Sequence, residues 1–441
     1  MTTTPPLSID RTQRRTIATL AGSQVLGGVG VTAGVAVGTL LAADLSGSET
    51  WAGLGGTSQT VGGAVFAMVI ARVMAARGRR PGLALGYVIA IIGGLLVITA
   101  AVIGSFGLFL CGSLLFGGAT AANSQARFAA ADLSEEHHRG RHLSIVVWAT
   151  TIGAVAGPNL TGLGDDAAQV LGIPVLAGPY AFSLIGLVLA TGVLWLWLRP
   201  DPLLTARAMA VATPETVARP GDGQPGDGQP NDGQPGEADT AAARAASGTP
   251  VGGLRSILAH RPALLGLLAM ALGHAVMVSV MVMTPLHMRH GAASLEVIGI
   301  VISLHIVGMY AFSPITGWAV DRFGGRVIVA TGAALLLTAA ILAGSSQTGP
   351  SIRLTAGLIV LGLGWSCTLI AGSTLLTSAL SLNERTGAQG MADVAMGLAG
   401  GGGGFLAGVI VQQWGFATLA VLAGGLGVLL GVLVFLLRRD P

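Results

Sequence analysis

The chain has 441 residues, of which 52% are hydrophobic and only 10% are charged. Soluble domains carry about 25% charged residues, so this composition excludes an ordinary water-soluble fold. The net charge is +3, and all 23 basic residues are arginine. Membrane proteins concentrate such residues in their cytoplasmic loops, so the positive charge does not indicate a nucleic acid partner.

Twelve apolar stretches follow one another along the chain, each about 20 residues long and able to cross a bilayer core as a helix. They predict an all-α polytopic membrane protein with the lipid bilayer as its surroundings. The predicted spans are 17–41, 52–74, 82–103, 106–131, 143–164, 178–198, 263–287, 297–319, 327–345, 354–380, 391–411 and 416–437.

Arginine marks alternate gaps between these spans. Only Arg289 and Arg353 fall in the other set of gaps. Because positive charge is retained on the cytoplasmic side, we expect a plasma-membrane protein with both terminal segments, 1–16 and 438–441, in the cytoplasm.

Residues 199–260 form a long gap rich in Pro, Gly, Asp and Gln, with a tandem run that starts at Gly221. Such a composition cannot bury enough apolar surface to order itself, which predicts a disordered cytoplasmic linker. The linker divides the chain into a bundle of six helices at 17–198 and a second one at 261–437. A plain tether is favoured, with a regulatory docking role as the alternative.

The two halves repeat each other in their loops. The gap after the eighth span reads Gly317-x3-Asp321-Arg322-x-Gly324, with Arg326 two residues on. This pattern resembles the loop signature of the major facilitator superfamily. The resemblance covers 17–198 and 262–437 and implies twelve helices in two six-helix bundles that work by alternating access. The corresponding loop of the first half departs from the pattern.

In that first-half loop, Ala71 and Ala75 replace the Gly and the Asp. We nevertheless expect the charged loop residues to form a gating network between the bundles, with helix-end anchoring as the alternative. Asp132 is the candidate partner of the first-half arginines and Asp393 that of Arg326. The expected network comprises Gly317, Asp321, Arg322, Gly324, Arg326, Arg79, Arg80, Asp132 and Asp393.

The fifth span contains Gly153, Gly157 and Pro158. This spacing is similar to a motif common among exporters of the superfamily. Proline removes a backbone hydrogen bond and glycine permits a close helix crossing, so a structural kink is the alternative interpretation.

Polar and soft side chains within the spans are the candidates for substrate binding, because polar groups are costly inside a membrane. Asn123 lies deep in the fourth span, whereas Arg127 is expected to snorkel toward the cytoplasm. His274, Met277 and Met281 share one helix face, and His305 and Met309 are i, i+4 neighbours. Imidazole and thioether groups suit Cu(I), so Met277, Met281, His305 and Met309 are candidate metal ligands.

The stretch from Met283 to Met309 also resembles one branch of the superfamily, which includes bacterial copper importers and riboflavin importers. That resemblance implies copper handling by Met277-x3-Met281 and His305-x3-Met309. Since methionine at helical spacing more often serves packing, an organic solute is favoured over a metal ion.

The sequence therefore predicts a secondary transporter that imports copper or a small organic solute. A proton-coupled exporter of organic compounds is one alternative, and a transport-dead membrane receptor or scaffold is another. No enzyme motif is present, and we expect no cofactor. Transport coupled to protons is one possibility, and we expect the protein to be a monomer.

Overall fold

The computed structural model describes residues 9–47, 49–159, 161–212, 250–349 and 351–438. Within these ranges every element of regular structure is helical. The first half contains α1 (Ile9–Ser46), α2 (Glu49–Arg77), α3 (Arg79–Ile103), α4 (Phe106–Ala129), α5 (Arg139–Asn159), α6 (Thr161–Leu171), α7 (Gly178–Trp197) and α8 (Pro202–Ala212). The second half contains α9 (Pro250–Ala259), α10 (Arg261–His290), α11 (Leu295–Tyr310), α12 (Ser313–Phe323), α13 (Gly325–Gly344), α14 (Ile352–Ala379) and α15 (Leu382–Leu436).

Ten helical segments of the described chain are long and apolar enough to cross a membrane. The longest, α15, contains two of the predicted spans. They meet at Gly415, where φ is 82° and ψ is 169° and the helical conformation is broken. Helix α5 corresponds to the predicted fifth span. The predicted eighth span consists of α11 and α12, with Pro314 in the first turn of α12. Each of the twelve predicted spans thus has a helical counterpart.

The helices before and after the central gap bury separate cores. In the first half, which we call the N-terminal bundle (α1–α7), buried side chains such as Tyr87, Phe109 and Phe116 pack together. In the second half, the C-terminal bundle (α10–α15), the core includes Met270, Trp365 and other large side chains. A few residues of α4 and α5 join this second core, so the two bundles meet along these helices.

The prediction of disorder for the linker 199–260 is wrong at its two ends, which are helical. Helix α8 begins at Pro202 because the Asp201 carboxylate accepts hydrogen bonds from the backbone N–H groups of Leu203 and Leu204, at 3.1 and 3.2 Å. Helix α9 is held to α15 by a hydrogen bond from Ser256 to Glu384. The proline- and glycine-rich residues 213–249 lie outside the described residues.

Loops of the two halves meet at the same end of the molecule. Arg79, at the start of α3, donates a hydrogen bond to Gln389 of α15, and the first turn of α5 contacts the end of α12 through Asp321. We call this the arginine-rich end. At the opposite end, the segments near Gly291 and Gly349 pack closely together. The alternation of loops read from the sequence is therefore present in the folded chain.

Candidate functional site

A cavity of about 510 Å³ lies between the two bundles. Helices α1, α2, α4 and α5 form one wall, and α10, α11, α14 and α15 form the other. The lining runs from Arg127 and Asp393 toward Gly56, near the start of α2 at the arginine-poor end. A space shared by both bundles can bind a solute and also respond to any motion of one bundle against the other.

Arg127 and Asp393 form a buried ion pair at the floor of this cavity. The Nη2 atom of Arg127 lies 2.8 Å from Oδ1 of Asp393, and the side chains are only 7% and 5% exposed. Ser124 and Gln125 also donate hydrogen bonds to the same carboxylate, at 2.8 and 2.7 Å. Arg127 further donates to Ser373 at 3.3 Å. These extra hydrogen bonds offset the desolvation of a buried ion pair, and the pair connects α4 to α15.

This pair corrects two expectations. Arg127 does not snorkel to the surface, because a buried carboxylate on the facing bundle accepts its hydrogen bonds. Asp393 is not the partner of Arg326, whose guanidinium instead donates to the backbone carbonyl of Arg438 at 3.1 Å. The partner of Arg127 lies 266 residues away along the chain, so the local sequence around Arg127 did not indicate this pair.

An aromatic group forms part of the C-terminal wall. Trp365 donates its indole N–H to Nδ1 of His274 at 3.0 Å, and the ring of Tyr310 packs edge-on against Trp365 at 5.5 Å between centroids. Because Nδ1 accepts this bond, the neutral imidazole carries its proton on Nε2. His274 was predicted from the sequence as a substrate-binding residue, whereas Trp365 and Tyr310 were not.

Asn123, a predicted substrate-binding residue, lies in the opposite wall of the cavity. The hydroxyl of Tyr87 donates to Asn123 Oδ1 at 2.6 Å, which directs the amide nitrogen of Asn123 away from Tyr87. The buried tyrosine thus fixes the orientation of a polar group at the cavity.

The four candidate metal ligands lie elsewhere. Met277 and Met309 are buried in the C-terminal core, and Met281 packs against it. His305 is fully buried, and its Nδ1 lies 2.7 Å from the carbonyl oxygen of Leu358. None of the four is among the residues that line the cavity.

Asp321 joins the bundles at the arginine-rich end. Its carboxylate accepts hydrogen bonds from the backbone N–H groups of Gly140 and Arg141, at 2.7 and 2.8 Å. These groups belong to the first turn of α5, where an anion is stabilised by free N–H groups and the helix dipole. We call this contact the Asp321 latch.

Glycine makes the Asp321 latch sterically possible. A Cβ atom on Gly317 would lie 2.2 Å from Ser144 Oγ and 2.5 Å from the carbonyl oxygen of Gly140. Gly324, which ends α12, has a φ of 85° that favours glycine. Arg322 is exposed beside it. Of the expected network residues in α12, Gly317 and Asp321 therefore contact the other bundle directly.

Arg79 makes a second contact between the bundles. It is fully buried, pairs with both carboxylate oxygens of Asp132 at 2.7 and 3.0 Å, and donates to Gln389 of α15 at 2.8 Å. Arg80 turns away, with its guanidinium 4.8 Å from the centre of the Trp195 ring. Asp132 thus pairs with Arg79 alone of the two expected arginines. Gln389 was not singled out from the sequence.

Gly153 and Gly157 bring α5 against α1. A Cβ atom on Gly153 would lie 2.7 Å from the carbonyl carbon of Gly28, and one on Gly157 would overlap Thr32. Thr32 also donates a hydrogen bond to the carbonyl of Gly153 at 2.8 Å. Pro158 lies in the last turn of α5. These contacts account for the two glycines by close packing.

Comparison with known proteins identifies relatives over nearly the whole chain. The Major Facilitator Superfamily pattern matches residues 19–293 and 275–441. The uncharacterized MFS-type transporter YdeG of Bacillus subtilis (strain 168) is 36% identical, over 95% of this chain and 90% of that protein. The riboflavin transporter RfnT of Brucella anthropi is 26% identical, over 92% of this chain and 91% of that protein. The proton:xylose symporter XylE has a similar fold, with a TM-score of 0.72, 16% identity and coverage of 98% and 96% of the two chains.

Proposed function

This chain belongs to the major facilitator superfamily and is a multi-pass secondary transporter; we propose that it imports a small organic solute through the cavity between its bundles. The Arg127–Asp393 pair at the cavity floor supports this proposal most directly. It connects the two bundles at the point where solute and coupling ion would both act. Motion of the bundles and occupancy of the cavity are thereby linked.

The chemistry of the wall favours an organic solute over copper. The cavity volume of about 510 Å³ falls within the range of small-molecule sites. Trp365 and Tyr310 offer aromatic surface, and Asn123 and Gln59 offer hydrogen bonds. Of the soft-ligand candidates only His274 lines the cavity. Because RfnT is named as a riboflavin transporter, riboflavin is the first solute to test.

Asp393 is the proposed proton carrier, as the one carboxylate among the residues that line the described cavity. Protonation would neutralise it and remove the charge that holds Arg127, weakening the connection between α4 and α15. A proton gradient could thus drive the change from one cavity orientation to the other. If the proton instead moves in exchange for the solute, the same step would drive efflux, which is the alternative function. The direction of solute flux distinguishes the two functions.

We also propose the topology. The arginine-rich end would face the cytoplasm of the cell, by the positive-inside rule, with both termini on that side of the plasma membrane. Contacts of Asp321 and Arg79 close this end, so the arrangement corresponds to an outward-facing transporter. One chain supplies both cavity walls, which supports a working monomer, with the central linker as a tether.

The test begins with purified protein and a thermal-stabilisation screen, since a ligand that binds the folded state raises its apparent stability. Riboflavin, other aromatic solutes and Cu(I) would be compared. Uptake and efflux of each stabilising compound would then be followed in proteoliposomes with an imposed pH gradient. Stabilisation by Cu(I) together with copper flux would contradict the organic-solute proposal. Absence of flux for all tested compounds would favour the receptor alternative.

A further inference from the structure

The segment between α4 and α5 carries a group of potential metal ligands outside the cavity. Glu135 Oε2 lies 3.3 Å from His137 Nε2 and 3.7 Å from His138 Nδ1. Among the His, Cys, Asp and Glu side chains of the described residues, this is the one group of three whose ligand atoms all lie within 4.8 Å of one another.

These distances suit a tetrahedral transition metal. Zinc binds His nitrogen and carboxylate oxygen at about 2.0–2.2 Å, which places neighbouring ligand atoms roughly 3.3–3.6 Å apart. The two distances to Glu135 are therefore near those around a bound ion, and the ligand atoms of the two histidines lie within 4.8 Å of each other. All three side chains are exposed, so an ion can enter and water can fill the remaining coordination position.

The charge around this group does not prevent cation binding. Arg139 and Arg141 follow it in the chain and are unfavourable, whereas Glu136 and the Asp321 carboxylate are favourable. Asp321 interacts electrostatically with both His137 and His138. The neighbouring His142 is already engaged, with its Nδ1 2.5 Å from Ser134 Oγ. Two imidazoles and one carboxylate thus remain available for an ion.

We propose that Glu135, His137 and His138 bind a divalent transition metal such as Zn²⁺, and that the bound ion stabilises the Asp321 latch. The cluster ends only two residues before Gly140, whose N–H donates to Asp321. An ion that fixes this segment would reduce the entropy lost when the latch forms. The metal site itself stands apart from transport, whereas the effect of the ion on the latch rests on the proposed function.

Binding tests the site directly. Full-length purified protein would be titrated with ZnCl₂ in a calorimeter, and one high-affinity ion per chain is expected. Joint substitution of His137→Ala and His138→Ala should weaken zinc binding at least tenfold. A loss of roughly that size follows even when only a residue hydrogen-bonded to a metal ligand is changed. His290→Ala, which removes an exposed histidine from the other end of the molecule, should bind zinc as the unmodified protein does. Unchanged binding by the double variant would overturn the site.

Flux tests the coupling to the latch. Zinc should slow solute uptake by the unmodified protein and leave the double histidine variant unaffected. Asp321→Asn should still bind zinc, but its uptake should no longer respond to the ion. If zinc slows uptake by Asp321→Asn as much as uptake by the unmodified protein, the proposed effect of the ion on the Asp321 latch is overturned. If no variant transports any solute, the proposed function fails, and the calorimetric result still decides whether the metal site exists.

Discussion

Arg127 and Asp393 form an ion pair with 2.8 Å between Nη2 and Oδ1, and it connects α4 of one bundle to α15 of the other. Both side chains are buried, and the carboxylate accepts further hydrogen bonds from Ser124 and Gln125. Two charges placed in this way can separate only if one is neutralised or both are hydrated. This requirement makes the pair the natural point at which a proton and a bundle movement depend on each other.

Replacing Asp393 by Asn should uncouple transport from the proton gradient. The substitution leaves Arg127 buried without its counter-charge, which should lower the free energy of unfolding by about 3–5 kcal/mol. Adding Arg127→Gln should recover part of that loss, because the unpaired charge is removed. Thermal unfolding of both single variants and the double variant measures this coupling, and uptake with and without a pH gradient measures the transport effect.

Two results would contradict this prediction. Strictly additive losses of stability would show that the two charges act independently. Uptake by Asp393→Asn that still accelerates with an imposed gradient would assign the coupling proton to another group.

Replacing Asp321 by Ala should favour opening of the arginine-rich end. The change removes an anion from the first turn of α5, a contribution of about 1 kcal/mol or roughly a fivefold shift between conformations. Labelling of a cysteine introduced at the buried Ser144 would report opening, in a background with Cys111 and Cys367 replaced by Ser. A faster labelling rate is expected.

Asp201→Ala is the matched control for this experiment. Asp201 also accepts hydrogen bonds from backbone N–H groups, including that of Arg80 at 2.8 Å, but within the described residues these donors lie in the first half of the chain. It should leave the Ser144→Cys labelling rate unchanged. Equal acceleration by both variants would mean that general destabilisation, and not loss of the latch, exposes the site.

Gly317→Ala should separate the bundles by steric overlap. The added Cβ would lie 2.5 Å from the carbonyl oxygen of Gly140, a backbone atom that cannot rotate away. We expect faster labelling at the arginine-rich end and slower uptake. Gly299→Ala is the control, since its Cβ would meet no atom within 4 Å. Normal uptake by Gly317→Ala would show that the two helices separate at little cost.

Substitutions in the cavity wall should impair solute transport, whereas substitutions in the core should not. Trp365→Phe removes the indole N–H that binds His274 and should raise the KM for an organic solute. Met277→Leu and Met309→Leu conserve volume in the core, and such changes usually cost less than about 1.5 kcal/mol. Uptake by the methionine variants should remain near normal. Loss of transport in the two methionine variants, with transport by Trp365→Phe unaffected, would favour the hypothesis that these methionines bind a transported metal ion.

Much of the fold could be predicted because its signals are local. Twenty apolar residues in a row must form a helix in a bilayer, since no water satisfies the backbone groups there. The extra helices α8 and α9 were missed because they lie within a segment whose average composition indicates disorder. Asp201 caps α8 from inside that segment, whereas the hydrogen bond that holds α9 joins Ser256 to Glu384, 128 residues further along the chain.

The site was predictable only in part. Asn123 and His274 could be selected because each is a polar residue within an apolar span, and both line the cavity. Met277, Met309 and His305 have the same helical spacing in the core as they would have in a binding wall. The face that a helix turns toward a cavity depends on its neighbours, and the chain's local pattern does not contain that information.

By itself, the sequence determined that this is a helical membrane protein with two repeated halves and alternate arginine-bearing loops, because span length, hydropathy and loop charge are all properties of contiguous residues. Only the tertiary structure decided which charges meet. Arg127 took Asp393 as its partner, Asp321 took the first turn of α5, and Arg79 reached Gln389. Each of these contacts joins residues more than 150 positions apart, and the energy of a buried charge depends on which groups surround it in space.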